Sequence, residues 1–497
     1  MDIKFVDLKK NYLSVKDEIH NKFNSLFDNC DFINGKSVYE FEQHFSKYLG
    51  VNHFIGCANG TDALEIAVNV LDLNPDDEII VQGNTYIATC LGPLNNNIKL
   101  VLCDIEQDTH MIDLEKLENK ITEKTKAVIV VHLYGLMPDM DKVLTICKKH
   151  NLILIEDCAQ AHGAEWKGKK AGTFGEISCF SFYPGKNLGA YGDAGGIATN
   201  SDKYNDKMRM YINIGCKVKY EHELIGRNSR LDTVQASFLD VKLNYLDTWN
   251  DIRRQEAGIY SKNLKDIGDL QLPVVVDGCT PVFHLYVIRT KYRDELKKYM
   301  DSKGVPCLIH YPISIGETKA MKKYNFDLED VKNCITNSKE ILSLPMHPDL
   351  EIHELNYICD NIKKFFMEKN LLKIKDFETS SKDGILHCVN NIIFDTQRFF
   401  YIDSFKNNNL TRGLHANINF NELMVIINGT VNIKTIDQNK NKETRVLNKG
   451  DIYYISQMKW IEFEALSEDT VIFCLTDKNI TDSISIHNFD DFINYKM

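Results

Sequence analysis

The sequence predicts an α/β domain with a largely parallel sheet, followed by an all-β domain. Between about residues 60 and 200, short apolar runs alternate with amphipathic stretches, and after Lys373 the segments become short, β-branched and aromatic. The chain has 497 residues, too many for one ordinary core, so two or more domains are expected. We place the boundary between residues 370 and 371, which gives domains 1–370 and 371–497.

The elements of the first domain follow from their periodicity. Continuous apolar runs are typical of strands buried on both faces of a sheet, and apolar residues at three-to-four spacing are typical of helices. The predicted strands are "EIIV" (78–81), "IKLVL" (98–102), "AVIVVH" (127–132) and "LILIE" (152–156), and "HLYVIR" (284–289) begins a mixed region. The predicted helices are 61–72, 139–150, a stretch at about 231–265, and 355–369.

The second domain has the strand spacing of an all-β sandwich or barrel. Asn, Gly, Asp and Lys turns, such as Asn428-Gly429, separate the strand candidates. These candidates are "ILHCVNNIIF", "RFFYI", "ELMVII", "TVNIKTI", "DIYYIS" and "TVIFCL".

The composition excludes several classes of function. The 59 basic and 70 acidic residues give a net charge of −11, without a long basic run, which argues against nucleic-acid or anionic-membrane binding. No signal-peptide core or membrane-spanning run is visible. The 14 cysteines are scattered without C-x-x-C pairs, so we expect reduced thiols and no metal site. The composition favours a cytoplasmic protein with a small-molecule partner.

Three features of the first domain converge on Lys186, the lysine of the stretch "SFYPGKNLGAYGDAGG" (181–196). Asp157 and Gln160 follow a predicted strand, at the sheet edge where open α/β sheets bind ligands. A glycine and a threonine precede the predicted helix 61–72, where free amides bind phosphate, and a serine stands five residues before the lysine. These three residues are Gly60, Thr61 and Ser181.

A lysine, a carboxylate and a phosphate cradle are together what pyridoxal 5'-phosphate requires. The lysine would form the Schiff base, the carboxylate would keep the pyridine nitrogen protonated, and the helix terminus would anchor the phosphate. Each feature also has an ordinary structural explanation, because loop lysines are mostly solvated and a G-T-D or strand-end aspartate is often a helix cap. Their order within one α/β domain favours the cofactor site.

The chain resembles the sugar aminotransferases of the DegT/DnrJ/EryC1/StrS family over roughly residues 1–368. The matching motifs include "FEQHFSKYLGV", "NGTDALEIA", "VVHLYG", "IEDCAQAHGAEWKGKKAGTFG", "CFSFYPGKNLGAYGDAGG", "NSRLDTVQA" and "LPMHP". The resemblance implies the fold-type I aminotransferase architecture, with a large α/β domain and a smaller α+β part. It also implies a homodimer with shared active sites, which acts on a nucleotide-linked keto sugar with glutamate as the amino donor.

The resemblance also implies roles for individual residues. Lys186 would carry the cofactor and shuttle protons, Asp157 would bind the pyridinium nitrogen, and Gln160 would contact the hydroxyl face of the ring. Gly60, Thr61 and Ser181 would hold the phosphate.

Further positions are carried over from the same family. Tyr86 would stack on the cofactor, and Asn228 would reach the phosphate of the neighbouring subunit. The candidate substrate contacts, which can equally be packed aromatics, are Tyr183, His310 and Tyr311. One departure is Arg227, where the family usually has tyrosine. Dehydratase relatives have histidine at the lysine position, so Lys186 favours amino transfer.

The second domain resembles a cupin-type jelly roll, and more closely the small domain of nucleotide-sugar 3,4-ketoisomerases. Its "RGLHAN" matches the R-G-x-H-A-H signature in all but the last position. The resemblance makes His415 and Tyr401 the catalytic candidates, but Asn417 replaces the second histidine, and an amide is not a general acid or base near neutral pH. Glu422 with Asn417 and Trp460 makes a poor metal site.

The leading hypothesis is amino transfer, with glutamate as donor, to the keto carbon of a dTDP-linked keto-6-deoxyhexose. The fused β-domain favours C3, because a 3,4-isomerase would supply the 3-keto sugar. The alternative is a 4-keto sugar aminotransferase whose C-terminal domain only binds sugar or dimerises. A sugar-binding or regulatory protein, and another fold-type I reaction such as aldol cleavage or desulfuration, are the remaining hypotheses.

Overall fold

The computed structural model describes residues 3–218, 220–369, 396–403, 405 and 411–495, and the backbone of 375–377 and 386–388. Two compact units are present, one made of Met1–Ser261 with Gln271–Leu355, the other of Lys262–Leu270 with Asn356–Met497. The boundary at residues 370 and 371 stays a prediction, and most of the segment "ILHCVNNIIF" lies outside the described residues.

The helices and strands are numbered here in chain order. The helices are α1 (Leu8–Ser14), α2 (Lys16–Asn29), α3 (Lys36–Leu49), α4 (Gly60–Asn69), α5 (Ile87–Asn95), α6 (Leu114–Asn119), α7 (Met140–His150), α8 (Asp202–Ile212), α9 (Thr233–Leu243), α10 (Leu246–Leu264), α11 (Arg293–Ser302), α12 (Lys332–Glu340), α13 (Ile352–Glu368) and α14 (Phe489–Asn494). Short 3-10 helices lie at Leu133–Gly135, Ile315–Glu317, Lys322–Tyr324 and Leu328–Val331.

The strands of the first unit are β1 (His53–Cys57), β2 (Glu78–Gln82), β3 (Lys99–Cys103), β4 (Thr125–Val131), β5 (Ile153–Asp157), β6 (Glu165–Trp166), β7 (Lys169–Lys170), β8 (Ile177–Ser181), β9 (Gly195–Thr199), β10 (Cys216–Val218), β11 (Glu221–His222), β12 (Cys279–Thr280), β13 (Tyr286–Arg289) and β14 (Ile341–Leu344). The strands of the second unit are β15 (Lys375–Phe377), β16 (Leu386–Cys388), β17 (Arg398–Ile402), β18 (Arg412–Asn417), β19 (Glu422–Asn428), β20 (Thr430–Asp437), β21 (Lys442–Asn448), β22 (Ile452–Ile455), β23 (Lys459–Ala465), β24 (Val471–Thr476) and β25 (Ser485–Ile486).

The first unit is built on a seven-stranded sheet in the order β1-β9-β8-β5-β4-β2-β3. Five neighbouring strands, from β8 to β3, are parallel, and β9 pairs antiparallel with both β1 and β8. The sheet confirms the predicted α/β class, and it contains the four strands expected between residues 78 and 156. The helical stretch expected at about 231–265 is two helices, α9 and α10.

Apolar side chains on both faces of this sheet explain why its strands are continuous apolar runs. Neighbouring residues of one strand, such as Ile79 and Ile80, belong to two different buried clusters. The cluster with Ile80 packs against α3, α7 and α9, and the cluster with Ile79 packs against α4, α5 and α12. Because successive strand residues point to opposite faces, a strand covered on both sides needs apolar residues at every position.

The smaller part of the first unit contains the antiparallel pair β13–β14 with α11 and α12. Leu308 bridges to Ser343 of β14, which holds the segment before His310 next to this pair. This bridge fixes the loop that contains His310 and Tyr311 to a strand.

Besides the antiparallel pair β15–β16, the second unit contains two larger antiparallel sheets, in the orders β17-β24-β19-β22 and β21-β20-β23-β18-β25. Their apolar side chains form one buried cluster, which includes Met424, Ile433 and Ile461. This arrangement confirms the predicted all-β domain and agrees with the jelly-roll class. Asn428-Gly429 does turn the chain, with a left-handed φ of 78° at Gly429, but it connects strands of two different sheets rather than closing a hairpin.

The described cysteines are free thiols, and most of them are buried. Among the described helices, none is both long and apolar enough to cross a membrane.

Candidate active site

A cavity of about 710 Å³ opens where β2, β4, β5 and β8 end at one edge of the main sheet. Open parallel sheets bind ligands at this edge because the strand ends leave loops and helix termini free to face a ligand. Ten of the eleven site residues predicted for the first domain line this cavity. They are Gly60, Thr61, Tyr86, Asp157, Gln160, Ser181, Tyr183, Lys186, His310 and Tyr311.

Asp157 ends β5 and is 4 % exposed. Its Oδ2 accepts a hydrogen bond of 2.8 Å from Thr89 Oγ1, and its Oδ1 accepts one of 3.1 Å from the amide of Ala159. The hydroxyl oxygens of Thr85 and Thr89 lie 2.7 Å apart, so Thr85 helps to orient the Thr89 hydroxyl that donates to Asp157. Burial raises the pKa of this carboxyl, while these donors and the nearby Lys186 oppose the rise. The carboxylate is therefore fixed in orientation and can bind a cationic N–H.

Lys186 lies in the loop after β8, where its backbone amide donates to the carbonyl of Tyr183 at 2.8 Å. Burial lowers the pKa of the lysine from 10.5 to about 8, and Asp157 opposes this by stabilising the ammonium. A lysine with this pKa has a substantial neutral fraction near neutral pH, which the amine needs in order to act as a nucleophile. Lys186 is the only lysine among the described residues that line the cavity.

Gln160 is oriented by a backbone amide. Its Oε1 accepts from the amide of Tyr134 at 2.6 Å, so its Nε2 points the other way and donates to Tyr311 Oη at 3.2 Å. Tyr134 has a left-handed φ of 62°, and its own hydroxyl donates to the carbonyl of His310 at 2.5 Å. These contacts connect the loop after β5 with the loop of His310 and Tyr311.

The start of α4 forms a cradle beside Ser181. Asn59 caps this helix by accepting from the amide of Asp62 at 2.8 Å, and the amides of the first two helical residues, Gly60 and Thr61, have no carbonyl partner within the helix. A Cβ at Gly60 would lie 2.6 Å from Cβ of Ser181, so only glycine allows this close approach. Two backbone amides and two hydroxyls at a helix N-terminus are the donors that a phosphate requires.

Aromatic and imidazole rings close the other side of the cavity. Tyr86 is 55 % exposed, and its ring centroid lies 5.4 Å from that of Tyr311. Tyr183 is 59 % exposed. Burial and the nearby Lys186 lower the pKa of His310 to about 4, so this imidazole is neutral at physiological pH. Burial also holds the pKa of His284, a cavity residue that the sequence analysis missed, well below its usual range.

Asn228 is the predicted residue that does not line the cavity. It is exposed, in the segment that follows β11, and it forms a bridge with Asn213. Its neighbour Arg227 contacts α4, with 3.0 Å between Nη1 and Asp62 Oδ1 and 2.7 Å between Nη2 and Glu65 Oε2.

One group of possible metal ligands among the described residues consists of the buried His132, Glu156 and Cys158. The Glu156 carboxylate already accepts from the amides of Gly172, Phe174 and Gly175 and lies 2.8 Å from His132 Nε2. These hydrogen bonds lower the pKa of Glu156 against the effect of burial. The group holds the loop after Gly172 against the end of β5.

In the second unit, β18 carries both His415 and the buried Asn417. Asn417 Nδ2 donates to Glu422 Oε2 at 3.0 Å, while its Oδ1 has no partner among the described residues. His415 Nδ1 donates to the carbonyl of Gly413 at 2.9 Å, which leaves Nε2 as an acceptor. Tyr401 is 66 % exposed on β17, in the other sheet, and no described hydrogen bond or ring contact joins it to His415.

Trp460 lies on the opposite face of the sheet from His415 and Asn417. It pairs with Ala416 in the ladder, packs in the cluster with Phe492 of α14, and donates from Nε1 to Glu462 at 3.0 Å. Because alternate residues of a strand face opposite sides, Trp460 does not occupy the position of a missing metal ligand beside Asn417.

The family model described as the DegT/DnrJ/EryC1/StrS aminotransferase family matches residues 14–363. The chain belongs to the DegT/DnrJ/EryC1/StrS aminotransferase family. A second model, described as WxcM-like, C-terminal, matches residues 367–497. Both resemblances stated from the sequence are confirmed, as is the fold-type I architecture. The enzymes of this family depend on pyridoxal phosphate, and the chain is such an aminotransferase.

The alignments of this chain with individual relatives cover nearly the whole length of each relative. The dTDP-3-amino-3,6-dideoxy-alpha-D-galactopyranose transaminase of Aneurinibacillus thermoaerophilus is 40% identical over 363 residues, covering 73% of this chain and 99% of the relative. A protein of Geobacillus stearothermophilus named pleiotropic regulatory protein is 39% identical over 368 residues, covering 74% and 99%. The crystal structure of S. venezuelae DesV in complex with a ketimine intermediate has a TM-score of 0.72 at 35% identity, covering 73% of this chain and 98% of DesV.

The site of this family member fits the cofactor that the family uses. The cradle at Gly60 admits a phosphate because no Cβ fills it, and the buried Asp157 lies with Lys186 on the same cavity. Bound there, pyridoxal phosphate would act as an electron sink for bonds at the amine carbon. The individual roles of the lining residues remain predictions.

The sequence analysis missed several residues that shape this aminotransferase site. Thr89 lies in the first turn of α5 and Thr85 lies two residues before the helix, and the four-residue spacing of the two threonines was a usable signal. Tyr134 acts through its backbone amide, which orients Gln160. Its backbone has a left-handed φ, a conformation that no residue pattern indicates. His284 was given no role in the site, but it precedes β13 and lines the cavity.

The lowered pKa of Lys186 predicts a pH dependence for the cofactor-free aminotransferase. Only the neutral amine reacts, so labelling of Lys186 by an amine-specific reagent is expected to rise with pH around a midpoint near 8, well below the 10.5 of an ordinary lysine. Peptide mass spectrometry of samples labelled between about pH 6 and pH 11 measures this curve. The exposed Lys298 of α11, followed in the same samples, is the reference. A midpoint for Lys186 at or above that of Lys298 would contradict the prediction.

Proposed function

We propose that the chain transfers an amino group from glutamate to C3 of a dTDP-linked keto-6-deoxyhexose. The observation that carries this proposal is the cavity in which Lys186, Asp157 and Gln160 meet at the end of the parallel sheet. The relative from Aneurinibacillus thermoaerophilus is named after a dTDP-3-amino sugar, and this name supports the choice of C3 and of the nucleotide. The absence of a long basic run in the sequence agrees with a small, soluble substrate, and we place the enzyme in the cytoplasm.

Each residue of the cavity has a part in this proposal. Lys186 Nζ binds the cofactor and, once released, moves a proton to or from the reacting carbon. Asp157 holds the proton on the pyridine nitrogen, since a buried carboxylate stabilises a cationic N–H. Gln160, already held by the amide of Tyr134, donates or accepts at the ring hydroxyl.

Binding of the phosphate and the substrate completes the proposal. The amides and hydroxyls at the start of α4 and at Ser181 bind the phosphate, and Tyr86 covers the ring. Tyr183, His310 and Tyr311 contact the sugar. Asn228 is exposed and does not line its own cavity, and this supports a homodimer in which Asn228 of a second copy reaches the phosphate.

For the second unit, we propose that it supplies the 3-keto sugar from the 4-keto isomer, with His415 and Tyr401 moving the protons. The second candidate is a 4-keto sugar aminotransferase whose C-terminal unit binds sugar or dimerises without chemistry. The buried contact between Asn417 and Glu422 favours this candidate, because an amide at that position transfers no proton.

One experiment separates the two candidates. The purified protein is incubated with glutamate and dTDP-4-keto-6-deoxyglucose, without an added isomerase, and the product is identified by mass and NMR. We expect a 3-amino sugar, and we expect His415→Asn to abolish it while amination of a supplied 3-keto sugar continues. Asn417→His, which restores the R-G-x-H-A-H signature, is expected to raise the isomerisation rate by about tenfold or more.

Other outcomes would contradict the proposal in different ways. A 4-amino product identifies the second candidate. Turnover of the 3-keto sugar alone, with or without His415→Asn, shows that the C-terminal unit is catalytically silent. Absence of any amino sugar from both isomers would refute the assigned substrate.

A further inference from the structure

The side chain of Arg227 joins the segment after β11 to the first turns of α4. Its two terminal nitrogens contact two different carboxylates, with 3.0 Å from Nη1 to Asp62 and 2.7 Å from Nη2 to Glu65. Among the described residues, no other cation lies within 4.0 Å of either carboxylate. A planar guanidinium directs two separate nitrogens at two acceptors in a fixed geometry, whereas an ammonium has a single nitrogen on a flexible stem.

Asp62 is the carboxylate that matters for the cavity. It lines the cavity two residues after Gly60, at the helix end where the cofactor phosphate is proposed to bind. A carboxylate near a helix N-terminus is favourable for the helix, but it repels a phosphate dianion at the same place. Ser229 Oγ also donates to Asp62 Oδ2 at 2.7 Å, so both oxygens of this carboxylate are engaged from one segment of the chain.

We propose that Arg227 is a positioning residue of the phosphate site, which it serves by neutralising Asp62 and Glu65 and holding the Asp62 carboxylate away from the bound phosphate. The inference rests on the proposed function, because it assumes that the phosphate binds at Gly60, Thr61 and Ser181. It concerns residues that do not themselves contact the phosphate in the proposal.

The contact of Arg227 with α4 also positions residues 227–229, a segment called here the Asn228 arm. The amide of Arg227 donates to the carbonyl of Tyr211 at 2.7 Å, and that of Ser229 donates to the carbonyl of Ile212 at 3.0 Å, so the backbone on both sides of Asn228 is anchored to the end of α8. The Arg227 side chain then fastens this anchored arm to α4. Arg227 therefore connects α4, where the phosphate is proposed to bind, with the exposed Asn228 of the same subunit.

The test compares two ligands that differ only in the phosphate. Pyridoxal phosphate and pyridoxal are titrated into cofactor-free protein, and the dissociation constants are obtained from the absorbance of the bound ligand. For Arg227→Met we expect the constant for pyridoxal phosphate to rise on the order of tenfold, and that for pyridoxal to change less than about twofold. Arg227→Lys is expected to fall between Arg227→Met and the unchanged protein, because a lysine retains the charge but lacks the fixed fork of two nitrogens.

A rescue variant separates the electrostatic role from a structural one. If Arg227 acts by neutralising Asp62, then Asp62→Asn combined with Arg227→Met recovers most of the lost affinity for pyridoxal phosphate. Equal weakening of both ligands by Arg227→Met, or a double variant that binds no better than Arg227→Met alone, would overturn the proposal.

Two further outcomes remain decisive. If Arg227→Met does not fold, Asp62→Asn alone is expected to tighten pyridoxal phosphate binding a few-fold and to leave pyridoxal unchanged, and weaker binding of pyridoxal phosphate alone would refute the proposal. If the unchanged protein binds pyridoxal as tightly as pyridoxal phosphate, the phosphate site at α4 is itself wrong, and the role of Arg227 is refuted with it.

Discussion

Lys186→Ala is expected to lower the rate of amino transfer by about three orders of magnitude or more, with little change in folding. The reason is that the cavity has one lysine among its lining residues, and its pKa near 8 leaves a reactive neutral fraction. Lys242, which is 2 % exposed, donates to the carbonyl of Gly189 and does not line this cavity, so it offers no substitute amine. The measurement is the amino-sugar product by mass, together with the absorbance of bound cofactor.

The matched control is Lys298→Ala, which removes an exposed lysine from α11 and is expected to leave the rate unchanged. Retention of more than about a tenth of the activity by Lys186→Ala would contradict the assigned role. A Lys186→Ala protein that kept every biological activity would instead favour the sugar-binding or regulatory hypothesis.

Asp157→Asn is expected to lower the rate of amino transfer by about two to three orders of magnitude while cofactor still binds. An amide has nearly the same shape as the carboxylate, so the variant removes the charge beside the pyridine nitrogen, together with one of the two hydrogen bonds that the Asp157 oxygens accept. The neutral amide cannot hold a proton on that nitrogen by charge attraction, and the electron sink is weakened. Single-turnover absorbance changes with glutamate measure the effect, because they report the half-reaction without the sugar.

Two variants bracket this result. Thr89→Val removes one hydrogen bond of 2.8 Å to Asp157 but keeps the charge, and we expect a loss of only a few-fold to about tenfold. Asp202→Asn changes an aspartate that is 92% exposed and is expected to have no effect. An Asp157→Asn protein within about threefold of the unchanged enzyme would show that the carboxylate charge is not required.

Local patterns predicted the sheet and part of the cavity, whereas Tyr86, Tyr183, His310 and Tyr311 were predicted only from the family resemblance. Strands such as β2 and β4 are apolar at nearly every position, and the chemistry of Lys186 and Asp157 follows from their place after such strands. The strand β9 was not predicted, since "GGIAT" has little strand character on its own. Packing decides it: a Cβ at Gly196 would lie 2.1 Å from the ring of Phe54 on the neighbouring strand.

Contacts between distant residues account for what the sequence could not predict. Arg227 was noticed only as an unusual residue, because its partners Asp62 and Glu65 lie more than 160 positions earlier in the chain. The orientation of Gln160 depends on the backbone of Tyr134, which adopts a conformation that tyrosine seldom prefers. Such arrangements arise from the tertiary fold and leave no periodic signal.

Both units lie on one polypeptide, and this has a consequence for supply within a cell. Every copy of the aminotransferase cavity is synthesised together with one copy of the β-rich unit, so their numbers stay equal whatever the level of expression. Two separate proteins would drift apart in abundance with each change in transcription or turnover. A fixed ratio of one to one means that neither unit can be made in excess of the other.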